Sequence, residues 1–303
     1  MRTVLTQAMQ FYRRANNLWR RVRGRTAKDE ADAAVQTGAV WDEFCGTLNA
    51  AAAALDFPGA PDDPFNRAEG FRYLTRLARA GLEQFLEYQY PAFPQLRRMV
   101  HETVKMGADN PDNYYQNCVI DGRYDYRIEG NRGTVALLSF ATKSGHYGQG
   151  GGMPPVDEVD ARDLDIGSNG ELVLHLSTRK QAGNWLRIAD GPGLLIVRQT
   201  FLDRAGEQRA DLKIRCLNGP DQPEPLGPEQ LVDGLRQASL LVAGASALFA
   251  KWSRDFQKHT NELPLFDPEV SIAAGGDPNI AYYMSHWRLA PDEALVIETP
   301  VPD

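Results

Sequence analysis

The stretch that most constrains this chain runs from Asp109 to Phe140, DNPDNYYQNCVIDGRYDYRIEGNRGTVALLSF. It opens with Asp and Asn, whose short side chains bond their own backbone in turns. It then passes through aromatic residues and breaks at Asp-Gly and at Gly-Asn-Arg-Gly. Within it Tyr124, Tyr126 and Ile128 alternate with Asp125, Arg127 and Glu129. A period of two is that of a half-buried strand. Before this stretch the apolar spacing is helical. After it the chain reads as sheet.

The β region extends over about 123–218. Thr134–Thr142 is more continuously apolar and reads as a central strand. Ser168-Asn169-Gly170 separates Arg162–Ile166 from Glu171–Ser177, and Asn-Gly is a strong hairpin signal. Gly193–Leu202 and Ala210–Leu217 complete the set. Short strands with no helix between them imply an antiparallel sandwich.

The flanks read as helix. Residues 3–24 carry Val4, Leu5, Ala8, Phe11, Tyr12, Ala15, Leu18, Trp19 and Val22 at helical spacing, with Arg13, Arg14, Arg20 and Arg21 largely on other faces. Such a helix either docks on its own domain or touches an anionic membrane surface. A second helical zone runs from Val40 through Ala54 and is broken by FPGAPDDP. A third spans 66–88, with Asn66 as N-cap and Glu69 at capping-box spacing. A short helix is expected near 95–104. Pro228 stands where a helix takes its first proline, followed by Leu231, Leu235, Ala238, Leu241, Val242, Ala245 and on to Phe256. The last residues, Glu293–Thr299, read as a strand. The expectation is an α+β chain: a helical region over 1–105, then an antiparallel sandwich over 106–303 with an inserted helix at 228–260.

Composition narrows the function classes. The net charge is -7, against a nucleic-acid partner, although residues 1–28 hold seven Arg, one Lys and no acid. The longest weakly polar stretch, Ala238 to Ala250, is too short to span a membrane. Three separated cysteines, Cys45, Cys118 and Cys216, suit neither a disulfide framework nor a metal knuckle. They imply a reducing compartment, most simply the cytoplasm.

Four stretches carry a resemblance: EGFRYLTRLARAGLEQFLEY (69–88), DNPDNYYQNCVIDGRYDYRIEGNRGT (109–134), GNWLRI (183–188) with GLLIVRQTFLD (193–203), and DPNIAYYMSHWRLAPDEALVIETPVPD (277–303). Together they resemble the family called domain of unknown function 1214, over most of 65–303. The resemblance implies an antiparallel, jelly-roll-like sandwich with helical additions. It brings no catalytic residues. It also implies a Trp- and Asn-rich strand beyond PVPD, which this sequence does not contain.

Candidate site residues come from the sequence itself. SGHYGQGGGMPP (144–155) packs five glycines into 145–152, so backbone can approach a ligand closely. His146 and Tyr147 in it are able to transfer protons, which makes them the candidate catalytic pair. The bland alternative is a linker between strands. DNPDN offers oxygen ligands but lacks the calcium-loop pattern, so turn caps are the simpler reading. Arg198 and Gln199 stand among apolar residues of both strand faces, and a buried Arg198 needs an acid or an anionic ligand. Tyr115, and Tyr283 with His286 and Trp287, offer aromatic surface for a substrate. The five histidines never fall at metal-ligand spacing, so no metal is expected. Cys118 reads as packing. The implied partner is an apolar or aromatic small molecule, with no metal or nucleotide cofactor. One reading is an acid/base enzyme with His146 and Tyr147 at its centre. The other is a non-catalytic binder of a carbohydrate or lipid-like ligand.

Overall fold

Asp63 and Pro64 start the third helical zone, three residues earlier than the capping-box reading placed it. The Asp63 carboxylate accepts from the N–H groups of Phe65 and Asn66, both at 3.1 Å. Pro64 occupies the first turn, where a missing N–H costs nothing. In the computed structural model the described residues are 26–57, 59–106, 109–145, 153–273, 276 and 280–299. The amphipathic pattern over 3–24 lies outside them.

Five α-helices are described: α1 (Ala27–Thr37), α2 (Ala39–Ala51), α3 (Pro64–Leu82), α4 (Pro228–Phe256) and the short α5 (Pro268–Ala273). Thr26 and Asp29 form a capping box on α1. α4 begins at Pro228 as the sequence implies, with the Gly227 N–H bonded to Gln230 Oε1 at 2.9 Å. It does not pack as an insertion in the sandwich. Its Leu235, Ala238 and Leu241 meet Val40 and Phe44 of α2 and Phe85 beyond α3. Its Val242 meets Leu74 and Leu77 of α3. The two helices cross closely at Gly81, where a Cβ would stand 2.9 Å from the Ala238 carbonyl oxygen. Helices that precede and follow the sheets in sequence therefore pack on one another. Among the described residues no helix is long and apolar enough to cross a membrane.

Eight strands follow α3: β1 (Asn113–Asp121), β2 (Tyr126–Asn131), β3 (Leu137–Ser144), β4 (Pro155–Asp160), β5 (Glu171–Ser177), β6 (Trp185–Arg187), β7 (Pro192–Thr200) and β8 (Asp211–Cys216). The first sheet has the order β1-β7-β3-β4 and the second β6-β5-β2-β8. All described pairs are antiparallel except β5 with β6. One core lies between the sheets. Cys118, Ile120, Phe140, Leu195 and Val197 face it from the first; Tyr126, Ile128, Leu172, Leu174 and Leu176 face it from the second. The architecture is α+β, a two-sheet sandwich with helices on both sides of it in sequence.

Several local expectations give way to tertiary pairing. β1 begins ten residues before the expected sheet region, at Asn113. The Asp-Gly turn makes no hairpin: it carries the chain from β1 in one sheet to β2 in the other. Gly122 permits this corner, since a Cβ there would lie 2.2 Å from the Ala189 carbonyl oxygen. Residues 95–104 form no helix. Arg97 instead pairs its backbone with Asn117 at 2.8 and 2.7 Å, covering the free edge of β1. Leu96 there packs on the sandwich core and Met99 on the helical core, which ties the two layers together. The Asn169-Gly170 hairpin shrinks to a single bridge, Ile166 with Leu172, because Ala161–Asp163 winds into a short helical turn capped by Asp160. Residues 293–299 form no strand among the described residues.

Candidate functional site

Strand parity decides what happens to Arg198 and Gln199. On β7 the residues Leu195 and Val197 point into the sandwich, so Gln199 does too. It is fully buried there. Its Oε1 accepts from the Ala210 N–H at 2.7 Å and its Nε2 donates to Gln116 Oε1 at 3.2 Å. The amide thus satisfies itself against neighbouring backbone and side chain. Arg198 goes to the other side of the sheet with Leu194 and Ile196. Arg198 therefore sits on the outer face of the first sheet and not in the sandwich interior. It is nevertheless only 5% exposed.

That outer face is polar and buried together. Across it runs one row of register partners, Asn117, Ile196, Ala141 and Glu158. The next row is Tyr115, Arg198, Ser139 and Asp160, and on the other side lie Val119, Leu194 and Lys143. Glu158 thus stands between the rows of two cations, and its carboxylate is 3.9 Å from Arg198. Lys143 is 1% exposed. A buried lysine or arginine is sustained by paired charge and hydrogen bonds, because desolvating an ion costs several kcal/mol. Met153 packs on Leu194 and Ile196, adding an apolar border.

Tyr115 is the register partner of Arg198. Its hydroxyl accepts two hydrogen bonds, from the Asn110 N–H at 3.1 Å and from Asn113 Nδ2 at 3.0 Å. The turn that delivers Asn110 is the DNPDN segment. Asn110 Oδ1 accepts from the Asp112 N–H at 2.8 Å, and Asp109 pairs with Lys105 at 2.8 Å. Those oxygens serve the turn.

Of the residues singled out from the sequence, the structure brings Tyr115 and Arg198 together. His146 and Tyr147 lie outside the described residues, on the connection from β3 to β4. Tyr283, His286 and Trp287 belong to an arm held by the loop after α4. His286 Nδ1 lies 3.0 Å from Thr260 Oγ1, the Asn261 N–H donates to the His286 carbonyl at 2.9 Å, and Tyr283 forms a bridge with Leu265. Tyr283 and Trp287 remain 56% and 43% exposed. Cys118 is packing: burial pushes its thiol up to about 12. Sequence reasoning missed Lys143 and Glu158. Alternation along Ser139, Ala141 and Lys143 was the available signal, but it needs the β3–β7 register before it points anywhere.

A groove of about 590 Å³ opens elsewhere, between α2 and α4. Its walls are mostly alanine, and its ionisable group, Glu43, is paired with Arg236 at 3.3 Å. It offers little chemistry compared with the sheet face.

The fold and this face describe a two-layer α+β protein with a buried, charged patch on the outside of one sheet. No family model and no curated protein matches the chain. A solved structure of an uncharacterized protein from Burkholderia cenocepacia is 45% identical, covering 86% of this chain and 72% of that one, with a TM-score of 0.83. The chain belongs to the family of that protein. Another solved structure, from Vibrio parahaemolyticus, matches at 14% identity and a TM-score of 0.31, over 53% of this chain and 48% of that one.

Proposed function

We propose that the outer face of the first sheet binds a largely apolar small molecule through one anionic group, and that the protein performs acid/base chemistry on it without metal or nucleotide. The observation that carries this reading is the burial of Arg198 and Lys143 on one sheet face, at 5% and 1% exposure, around Glu158 and beside Tyr115. A planar guanidinium is suited to a carboxylate or sulfate. Leu194, Ile196 and Met153, packed on one another beside Arg198, give the face an apolar border for the rest of the molecule. His146 and Tyr147 are the proposed proton-transfer pair, and Glu158 and Lys143 join them as ionisable neighbours of the ligand. Eight strands in two sheets of four support the jelly-roll description and the resemblance to the domain of unknown function 1214 family. Three free cysteines support a reducing compartment such as the cytoplasm.

Native mass spectrometry of the purified full chain tests the reading. The expected result is a stoichiometric small-molecule anion on the unaltered chain that is lost from Arg198→Met. An adduct that persists in Arg198→Met sinks the assignment. The alternative, a non-catalytic binder of a carbohydrate or lipid-like ligand, draws on the exposed rings of Tyr283 and Trp287. His146→Ala separates the two readings. An enzyme loses turnover of the identified ligand and keeps its affinity; a binder responds to Trp287→Ala and not to His146→Ala.

A further inference from the structure

Two amides flank the Arg198 position. Asn113 and Asn117 are 6% and 4% exposed, and both share the outer face of β1 with Tyr115. Each has a buried side-chain oxygen with no hydrogen-bond partner. Native proteins leave few such atoms, and each one calls for an explanation. The register makes both amides diagonal neighbours of Arg198: Asn113 faces Thr200 and Asn117 faces Ile196 on the same strand. Diagonal neighbours lie within reach of one small molecule. Turning an amide end for end would put a nitrogen where the oxygen stands. A hydroxyl satisfies either orientation, because it both donates and accepts. A hydrocarbon satisfies neither, and a carboxylate alone cannot donate.

We propose that the ligand of this face is a hydroxylated carboxylate with an apolar body. Its carboxylate meets the Arg198 guanidinium, its hydroxyl meets Asn117 or Asn113, and its hydrocarbon lies over Leu194 and Ile196. This rests on the reading of the outer face as a ligand site and narrows the ligand class.

Calorimetric titration of the full chain with dodecanoate and with 3-hydroxydodecanoate tests it. The hydroxy acid is expected to bind about tenfold tighter, the worth of one well-made hydrogen bond. The double variant Asn113→Leu with Asn117→Leu is expected to bind the two acids equally. Equal affinities on the unaltered protein overturn the proposal and leave the ligand face standing. So does a hydroxyl preference that survives the double substitution. Binding of neither acid overturns the ligand face and this inference with it. The comparison on unaltered protein needs no variant to fold.

Discussion

Arg198 and Gln199 are adjacent in sequence, and both are buried. One side chain uses its amide to hold the backbone that leads into β8; the other carries a charge to the outer face. Gln199→Ala strips the Ala210 N–H of its 2.7 Å partner in a dry core. The expected loss is about 1–3 kcal/mol of stability, read from urea unfolding. Asn117→Leu is the converse. It removes a buried amide whose oxygen has no partner, so the free protein is expected to keep its urea midpoint or raise it. The thiols give a second check at this level. Cys45 is exposed and Cys118 is buried, its thiol pushed up to about 12. A maleimide is expected to label Cys45 in the native protein and Cys118 only after denaturation. Native labelling of Cys118 would contradict the packing described.

A buried hydroxyl helps to hold the sheet-changing corner between β1 and β2. Tyr126 is fully buried, and its oxygen accepts from the Asp121 N–H at 2.9 Å. Tyr126→Phe keeps the ring and removes that acceptor, so a loss of about 1–3 kcal/mol is expected by thermal or urea unfolding. At the end of α4 the Lys251 and then the Lys258 ammonium groups hold the Asp255 carboxyl at about 2, below its usual range near 4. A depressed carboxylate contributes stability that is whole above its unfolded value and lost as pH falls. Asp255→Asn is therefore expected to flatten the decline of the melting temperature between about pH 4 and pH 2. Legibility varied among these elements for physical reasons. α4, β3 and β7 are long and strongly patterned, and their apolar period alone locates them. α1, AKDEADAAVQT, buries just Ala31 and has almost no stripe to read. β1, NYYQNCVID, puts Asn, Gln and Tyr on both of its faces, so no apolar alternation marks its start until β7 supplies the ladder. Residues 95–104 lose their helix because the edge of β1 takes their backbone.

The two layers differ in what they offer a ligand. The helical layer meets in alanine and leucine, and the sandwich core is almost wholly apolar. Charge is buried instead on the outer face of the first sheet, where β1, β7, β3 and β4 each supply a polar group. That gathering was half legible. Arg198 stood out because no apolar strand tolerates a lone guanidinium, and Tyr115 stood out as aromatic. Lys143 and Glu158 did not, since a lysine or glutamate in a strand reads as solvated until the sheet order puts it beside Arg198. The measurement that tests the site most directly is a methyl NMR spectrum of the full chain titrated with dodecanoate. The Leu194, Ile196 and Met153 methyl signals are expected to move together, and to stay still in Arg198→Met. Movement confined to the alanines of the α2–α4 groove, such as Ala50 and Ala243, would contradict it.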